Sequence, residues 1–392
     1  MNALSNIIGC QVDQSLNYVE KLSAKKYAFY LLPICTTIIS LISAFPSYDI
    51  VLTNEFAESW RALLNQTDHP FQAVDYHQAS HAANLAFRLT PVLLGRLFQI
   101  DTIPGYLLLQ LAAFLLLQIS TVCIFKKITG DMVTAILLSF AVSFSFVGNV
   151  LCSDYRGFFD VLSFLFLTIA MLSDNLFIIF VSILAASFTD ERALAASGLV
   201  FIFFVLQGET NTEAPSSLKN LLRLDRKLFT LILSWVVYFM LRYLLSYYFN
   251  FKTNESGMID YLLNHAVHQI NILPFALWTG LEGFWLIVIL SIYILIYNKR
   301  WSFLLLLFAA ITGVAFIAIW VFDITRSMAY LWPAIFIGVT ILYRTQNLRF
   351  IRYISFAVLL LCFFPTYYAG GPKEIGWLYP LPVQLLRMFL KV

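Results

Sequence analysis

Residues 103–125 read IPGYLLLQLAAFLLLQISTVCIF, a stretch without a single charged side chain. As a helix rising 1.5 Å per residue it would be about 34 Å long, enough to cross the roughly 30 Å hydrocarbon core of a bilayer. A membrane strand needs only about ten residues, and inside lipid an open backbone cannot satisfy its polar groups, so length and setting both select a helix. Lys126 and Lys127 follow at once, as anchors in the headgroup zone.

Similar runs recur on both sides of this one. They predict helices near 27–45, 103–125, 132–149, 158–173, 175–188, 193–206, 228–248, 273–297, 302–322, 327–343 and 353–368, about eleven spans, with the three between 158 and 206 noticeably short. Composition agrees. Of 392 residues 60% are hydrophobic and 12% charged, against about a quarter charged in a soluble domain. A net charge of +3 leaves no basic surplus for a nucleic acid partner. The expected fold class is all-α, a polytopic transmembrane helix bundle with interfacial amphipathic helices in its first outer loop. Residues 1–26 read as a cytoplasmic N-terminal segment, 27–380 as the bundle including outer loop 46–102, and 381–392 as a C-terminal tail. The first twenty residues carry Asp13 and Glu20 and lack a signal-peptide core. Five cysteines without paired spacing read as small buried hydrophobes.

Basic residues orient such a chain. Lys21, Lys25, Lys126, Lys127, Lys227, Lys299, Arg300, Arg344, Arg349 and Arg352 share one side, which the positive-inside rule makes cytoplasmic together with the N-terminus. Most acids and all five histidines fall on the other side, and a site is expected there. The polar linker 207–227 ends in a basic stretch and reads as a lipid-headgroup anchor. Arg242 alone among the ionisable residues lies well inside a span.

Residues 46–102 form the longest loop. Within it Phe56, Trp60, Leu63 and Leu64 recur at helical spacing, and a second amphipathic stretch carries Arg88, Arg96 and Pro91 as an expected kink. Such helices lie flat in the interface. Asp49 follows the break at Pro46, where partial desolvation would make its carboxylate a better base. Farther on, three outer junctions each couple a carboxylate to an arginine: Asp154 with Arg156, Asp190-Glu191 with Arg192, and Asp323 with Arg326. Arginine suits phosphate through its planar fork, and carboxylates activate hydroxyls or orient sugars. Local neutralisation at the interface is the simpler alternative for any one pair. Asp160, one turn into its helix, could pair with Arg156. His77/His81 and His265/His268 have spacings that could hold a metal, but no ligand motif accompanies them, so solvated loop histidines are the default and no cofactor is assigned beyond a possible divalent metal.

On these residues the chain resembles the GT-C superfamily of integral-membrane glycosyltransferases: Asp49 just past the first span, a long first outer loop with flat helices, and acidic outer loops such as Asp190-Glu191-Arg192. The resemblance implies a sugar taken from a polyprenyl-phosphate donor and passed to a lipid, glycan or protein acceptor on the outer face. It places Asp49 as base or acceptor-orienting residue, with Asp190 and Glu191 as further catalytic carboxylates. Arg88, Arg156, Arg192 and Arg326, with Asp154 and Asp323, would hold phosphate or substrate. The tandem acidic signature of several branches is absent, and no soluble C-terminal domain is expected after the spans. Expected partners are the donor and membrane lipids, with the protein in a bacterial inner membrane. A transporter or flippase for a lipid-linked glycan is the alternative, or a glycan polymerase or acyltransferase using the same face.

Overall fold

The computed structural model of this chain describes residues 2–25, 27–44, 57–72, 85–153, 157–209, 225–251, 270–320, 323–363, 367–371, 374–377 and 379–390. They build an all-helical bundle with one small antiparallel hairpin, Tyr367–Gly371 with Glu374–Trp377. The helices needed below are α1 (Asn2–Ser23), α2 (Ala28–Ser43), α3 (Ala57–Asp68), α4 (Leu89–Leu97), α5 (Ile103–Thr129), α6 (Met132–Phe144), α7 (Asp160–Leu172), α8 (Leu176–Ser187), α9 (Glu191–Gly208) and α10 (Arg226–Phe249). They are followed by α11 (Leu273–Leu281), α12 (Trp285–Tyr297), α13 (Trp301–Ile319), α14 (Ile324–Met328), α15 (Trp332–Thr345) and α16 (Leu348–Cys362).

Short polar turns set the helix ends. Thr102 caps α5, which closes on Gly130 in the left-handed conformation at φ 63°. Asp131 then caps α6 by accepting from the Thr134 amide at 3.0 Å. Asn175, Asp190, Asp225 and Asn347 cap α8, α9, α10 and α16 in the same way.

Among the described residues six helical stretches are long and apolar enough to cross a membrane: Ile103–Thr129, Glu191–Gly208, Arg226–Phe249, Leu273–Tyr297, Trp301–Ile319 and Ile324–Thr345. A seventh arises if α1 and α2, bent by 118°, are taken as one. The expected count of about eleven is not met by this measure. α6, α7 and α8 are apolar but only 13, 13 and 12 residues long, about 20 Å of helix against a core of about 30 Å. Their runs are cut by turns at Ser145 and at Ser173-Asp174-Asn175 that apolar content alone does not reveal.

The stretch Ile324–Thr345 is the centre, buried along its whole apolar window, whereas Trp301–Ile319 is mostly exposed and suited to lipid. Small residues let the span Leu273–Tyr297 approach it: a Cβ on Gly280 would lie 2.5 Å from that of Met328, and one on Gly338 would lie 2.7 Å from Ile287. That span is broken at Glu282, a buried residue at φ 49°, ψ −129°, a conformation that costs a side-chain-bearing residue about 1–3 kcal/mol.

Ion pairs tie the connections of one end together. Lys127 and Lys227 reach Asp174 at 3.3 and 2.6 Å, Arg352 reaches Asp131 at 2.8 Å, Arg300 pairs with Glu209, and Arg344 donates to the carbonyls of Leu206 and Glu209. The acidic–arginine junctions lie at the opposite end.

The first long loop is more than a flat cap. Trp60 of α3 is buried in the main core, edge-on to Phe159, and Thr67 hydrogen-bonds the Tyr106 hydroxyl. Pro91 does not kink a helix. It occupies the first turn of α4, where a missing amide costs nothing. Arg242 lies within the span of α10, as expected, two turns from its end, with its guanidinium over Phe87 and bonded to the Tyr238 hydroxyl at 2.8 Å.

Candidate functional site

Four segments distant in sequence converge at the acidic end, each held by its own local structure. Gly157 at φ 75° and Phe159 at φ 60° turn the chain into α7, and Phe159 lodges between Trp60 and Tyr106. That turn aims Asp160 inward at the first position of the helix. Asp190 is the N-cap of α9, its Oδ1 accepting from the Arg192 amide at 3.0 Å. Thr90 stitches the start of α4 to α8 through the carbonyls of Phe188 and Ala185, at 3.2 and 2.7 Å, and so delivers Arg88 to Asp190. Arg326 lies on α14 at the head of the central stretch. Beside it the Thr325 hydroxyl meets Thr279 at 2.8 Å and accepts from the Ala369 amide at 3.0 Å.

The result is a buried network of three guanidinium and three carboxylate groups. Arg192 binds Asp190 through both edges of its fork, Nε to Oδ1 at 2.8 Å and Nη2 to Oδ2 at 2.6 Å, and gives its third edge to Ser327 at 2.8 Å. Arg326 grips both oxygens of Asp160, reaches Asp190 at 3.3 Å, and pairs with Asp323 at 3.5 Å. Arg88 Nη2 lies 3.0 Å from Asp190 Oδ2. The Tyr330 hydroxyl donates to Asp160 at 2.9 Å. Two guanidiniums also stand over Phe158, Arg326 at 4.1 Å and Arg88 at 5.1 Å from the ring centre.

Burial alone would push the Asp190 carboxyl up. Arg192 first, then Arg88 and Arg326, override that and hold it well below the usual carboxylate range. A depressed carboxyl contributes stability above its unfolded value, near pH 4, and loses it only as pH falls through the folded value. Unfolding measured between pH 5 and 8 should therefore show no titration from Asp190. A step in that range that disappears in Asp190→Asn would contradict this.

One arginine is not saturated. Nε and Nη1 of Arg88 are buried and have no hydrogen-bond partner among the described residues, an arrangement that costs about 1–3 kcal/mol unless an acceptor arrives. The three guanidiniums and three carboxylates balance in charge, so what the network offers an anion is the pair of unused Arg88 N–H edges, while Asp160 and Asp190, each already paired with arginine, are not free to ligate a divalent ion. Among the described residues no group of three His, Cys, Asp or Glu is placed to hold a metal.

Of the residues singled out from sequence, Arg88, Asp190, Arg192, Asp323 and Arg326 meet here. Glu191 is half-exposed beside them, near enough to Tyr238 to act on its hydroxyl electrostatically. Asp49, Asp154 and Arg156, with His77, His81, His265 and His268, lie outside the described residues. The local pairs 190–192 and 323–326 both form, but as parts of one network rather than as separate neutral pairs. Asp160 finds its described guanidinium partners on α14 and α9, with Arg192 at 3.8 Å. Tyr330 was not legible as a site residue, because one more aromatic in a chain with 20 Tyr and 37 Phe carries no signal. Tyr330→Phe keeps the ring that Arg192 overlies at 5.2 Å and removes only the bond to Asp160. It should lower stability by about 1–2 kcal/mol in denaturant unfolding; no measurable loss would mean that hydroxyl is dispensable.

No protein-family model, curated protein or solved structure matches this chain.

Proposed function

We propose that this multi-pass membrane protein is a glycosyltransferase that takes a sugar from a polyprenyl-phosphate donor at its acidic–arginine end. The observation that carries the reading is the Arg88 guanidinium, buried with two N–H edges that no described residue uses, beside two further arginines whose positions are fixed by carboxylates. A leaving group that is already a phosphate needs positive charge on its oxygens, and fixed donors in a dry site supply it without reorganising. Greasy helices around the site suit the polyprenyl tail. Asp160 and Asp190 act here as orienting groups for the arginines, and the Asp190 carboxylate, held so low, is a poor base. The base for the acceptor hydroxyl falls to Glu191 or to Asp49. Eleven crossings, with the N-terminus cytoplasmic in a bacterial inner membrane, complete this reading.

The test is sugar transfer by the purified protein in proteoliposomes supplied with a polyprenyl-phosphate sugar. Arg88→Met should weaken donor binding about 10- to 100-fold, the value of one or two charge-assisted bonds, while leaving unfolding near wild type. Undiminished binding would remove the phosphate assignment. Glu191→Gln and Asp49→Asn in the same assay identify the base by which one abolishes turnover.

Transport is the second reading, favoured by the break at Glu282: a buried carboxylate at an interrupted membrane helix is the arrangement that transport sites use. Translocation of a lipid-linked glycan without transfer, lost in Glu282→Gln, would select it.

A further inference from the structure

The other end of the bundle carries a surface that the proposed reaction does not use. Helix α1 turns back from α2 with a bend of 118° and packs against the flanks of α6 and α16. Its described residues separate by charge. Leu16 is buried against Val133 and Leu137, with Val12 and Val19 beside it. On the same side Asp13 accepts from Arg349 at 3.1 Å and from the Tyr353 hydroxyl at 2.5 Å, and Glu20 pairs with Arg352 at 3.3 Å. At 100° per residue these positions span an arc of about 120°. Tyr18, Lys21 and Leu22 centre on the opposite side, and all three are exposed.

The opposite face continues into neighbouring structure. Lys25 stands 5.6 Å from the Tyr27 ring, and Lys126, from the end of α5, stands 4.8 Å from the Phe29 ring. Tyr18 and Tyr27 remain 65% and 53% exposed, far more than a soluble core would leave them. Both acids of the described part of α1 are turned to arginines, so no ion pair with a described residue engages Lys21, Lys25 or Lys126. Basic side chains interleaved with tyrosines at the end of a membrane bundle match the chemistry of an anionic headgroup layer: ammonium groups meet phosphodiesters, and tyrosine rings sit at headgroup depth.

We propose that this face of α1, with Lys126, binds anionic phospholipid headgroups of the adjoining leaflet and seats the N-terminal helix flat on the membrane. It depends on the membrane class of the protein and not on the glycosyltransferase reading. The test is hydrogen exchange on the full chain in nanodiscs, comparing phosphatidylcholine alone with a mixture containing phosphatidylglycerol. Amides of residues 11–23 should exchange at least about tenfold more slowly with phosphatidylglycerol, and amides of α6 should not change. Each lysine removed should cost about fivefold of that protection, so K21Q/K25Q/K126Q should erase it. Lys126→Gln lies outside α1 and alone should reduce it about fivefold. High salt should also erase it in the unaltered protein, because exposed charges are screened. Equal exchange in both lipids, or protection that survives the triple variant or high salt, overturns the assignment.

Discussion

Asp190→Asn should lower the unfolding free energy by about 3–5 kcal/mol, the cost of leaving buried guanidinium groups without their counter-charge. Asp190 is fully buried and faces three arginines, gripping Arg192 with both oxygens. Asparagine preserves the shape and the cap on α9 but removes the charge. Asp190→Ala should cost about 1 kcal/mol more, because the cap to the Arg192 amide is lost as well. Asp174, an exposed carboxylate at the other end, provides the control: Asp174→Asn should cost about 1 kcal/mol or less. Denaturant unfolding in one detergent compares all three. If Asp190→Asn unfolds within 1 kcal/mol of the unaltered chain, the network is not the keystone of this end.

The second large effect concerns Arg326. Its guanidinium holds both oxygens of Asp160 while reaching Asp190 and Asp323. Lysine keeps the charge but is a single compact ammonium, unable to serve three carboxylates from one plane. Arg326→Lys should therefore release α7 from the central stretch. On the proposed function, sugar transfer should fall about 100- to 1000-fold, the loss typical of one fixed donor to a developing anion. A variant with near-normal turnover would show that charge suffices there and geometry does not. Arg326→Lys should also reduce stability, whereas Arg88→Met should not, because Asp190 retains two guanidiniums when Arg88 is gone. Binding and folding can thus be separated by choosing which arginine is changed.

Legibility from sequence followed the range of each interaction. The apolar run at 103–125 declared its helix because each residue's transfer into lipid is a local property. Asp190-Glu191-Arg192 and Asp323…Arg326 were visible as acid–arginine pairs because their partners lie within three residues. Asp160 was visible as a costly carboxylate, but its grip by Arg326 was not, since 166 positions separate them. Helix α6 was read as the fuller run 132–149 because hydropathy marks what is greasy, while a polar turn within the grease is what ends a helix; α7 and α8 already read as short, and α9, read as short at 193–206, extends over Glu191–Gly208.

Sequence by itself determined that this chain is helical, with several segments long and apolar enough to cross a membrane and opposite charge character at its two ends, because hydropathy and charge placement act residue by residue. Only tertiary structure decided that Arg88, Asp160, Asp190, Arg192 and Arg326 form one buried network, and that Asp13 and Glu20 turn inward while Lys21 faces out. Pairing between distant segments depends on how helices pack and which way each cap aims its side chain, and no periodicity along the chain encodes that.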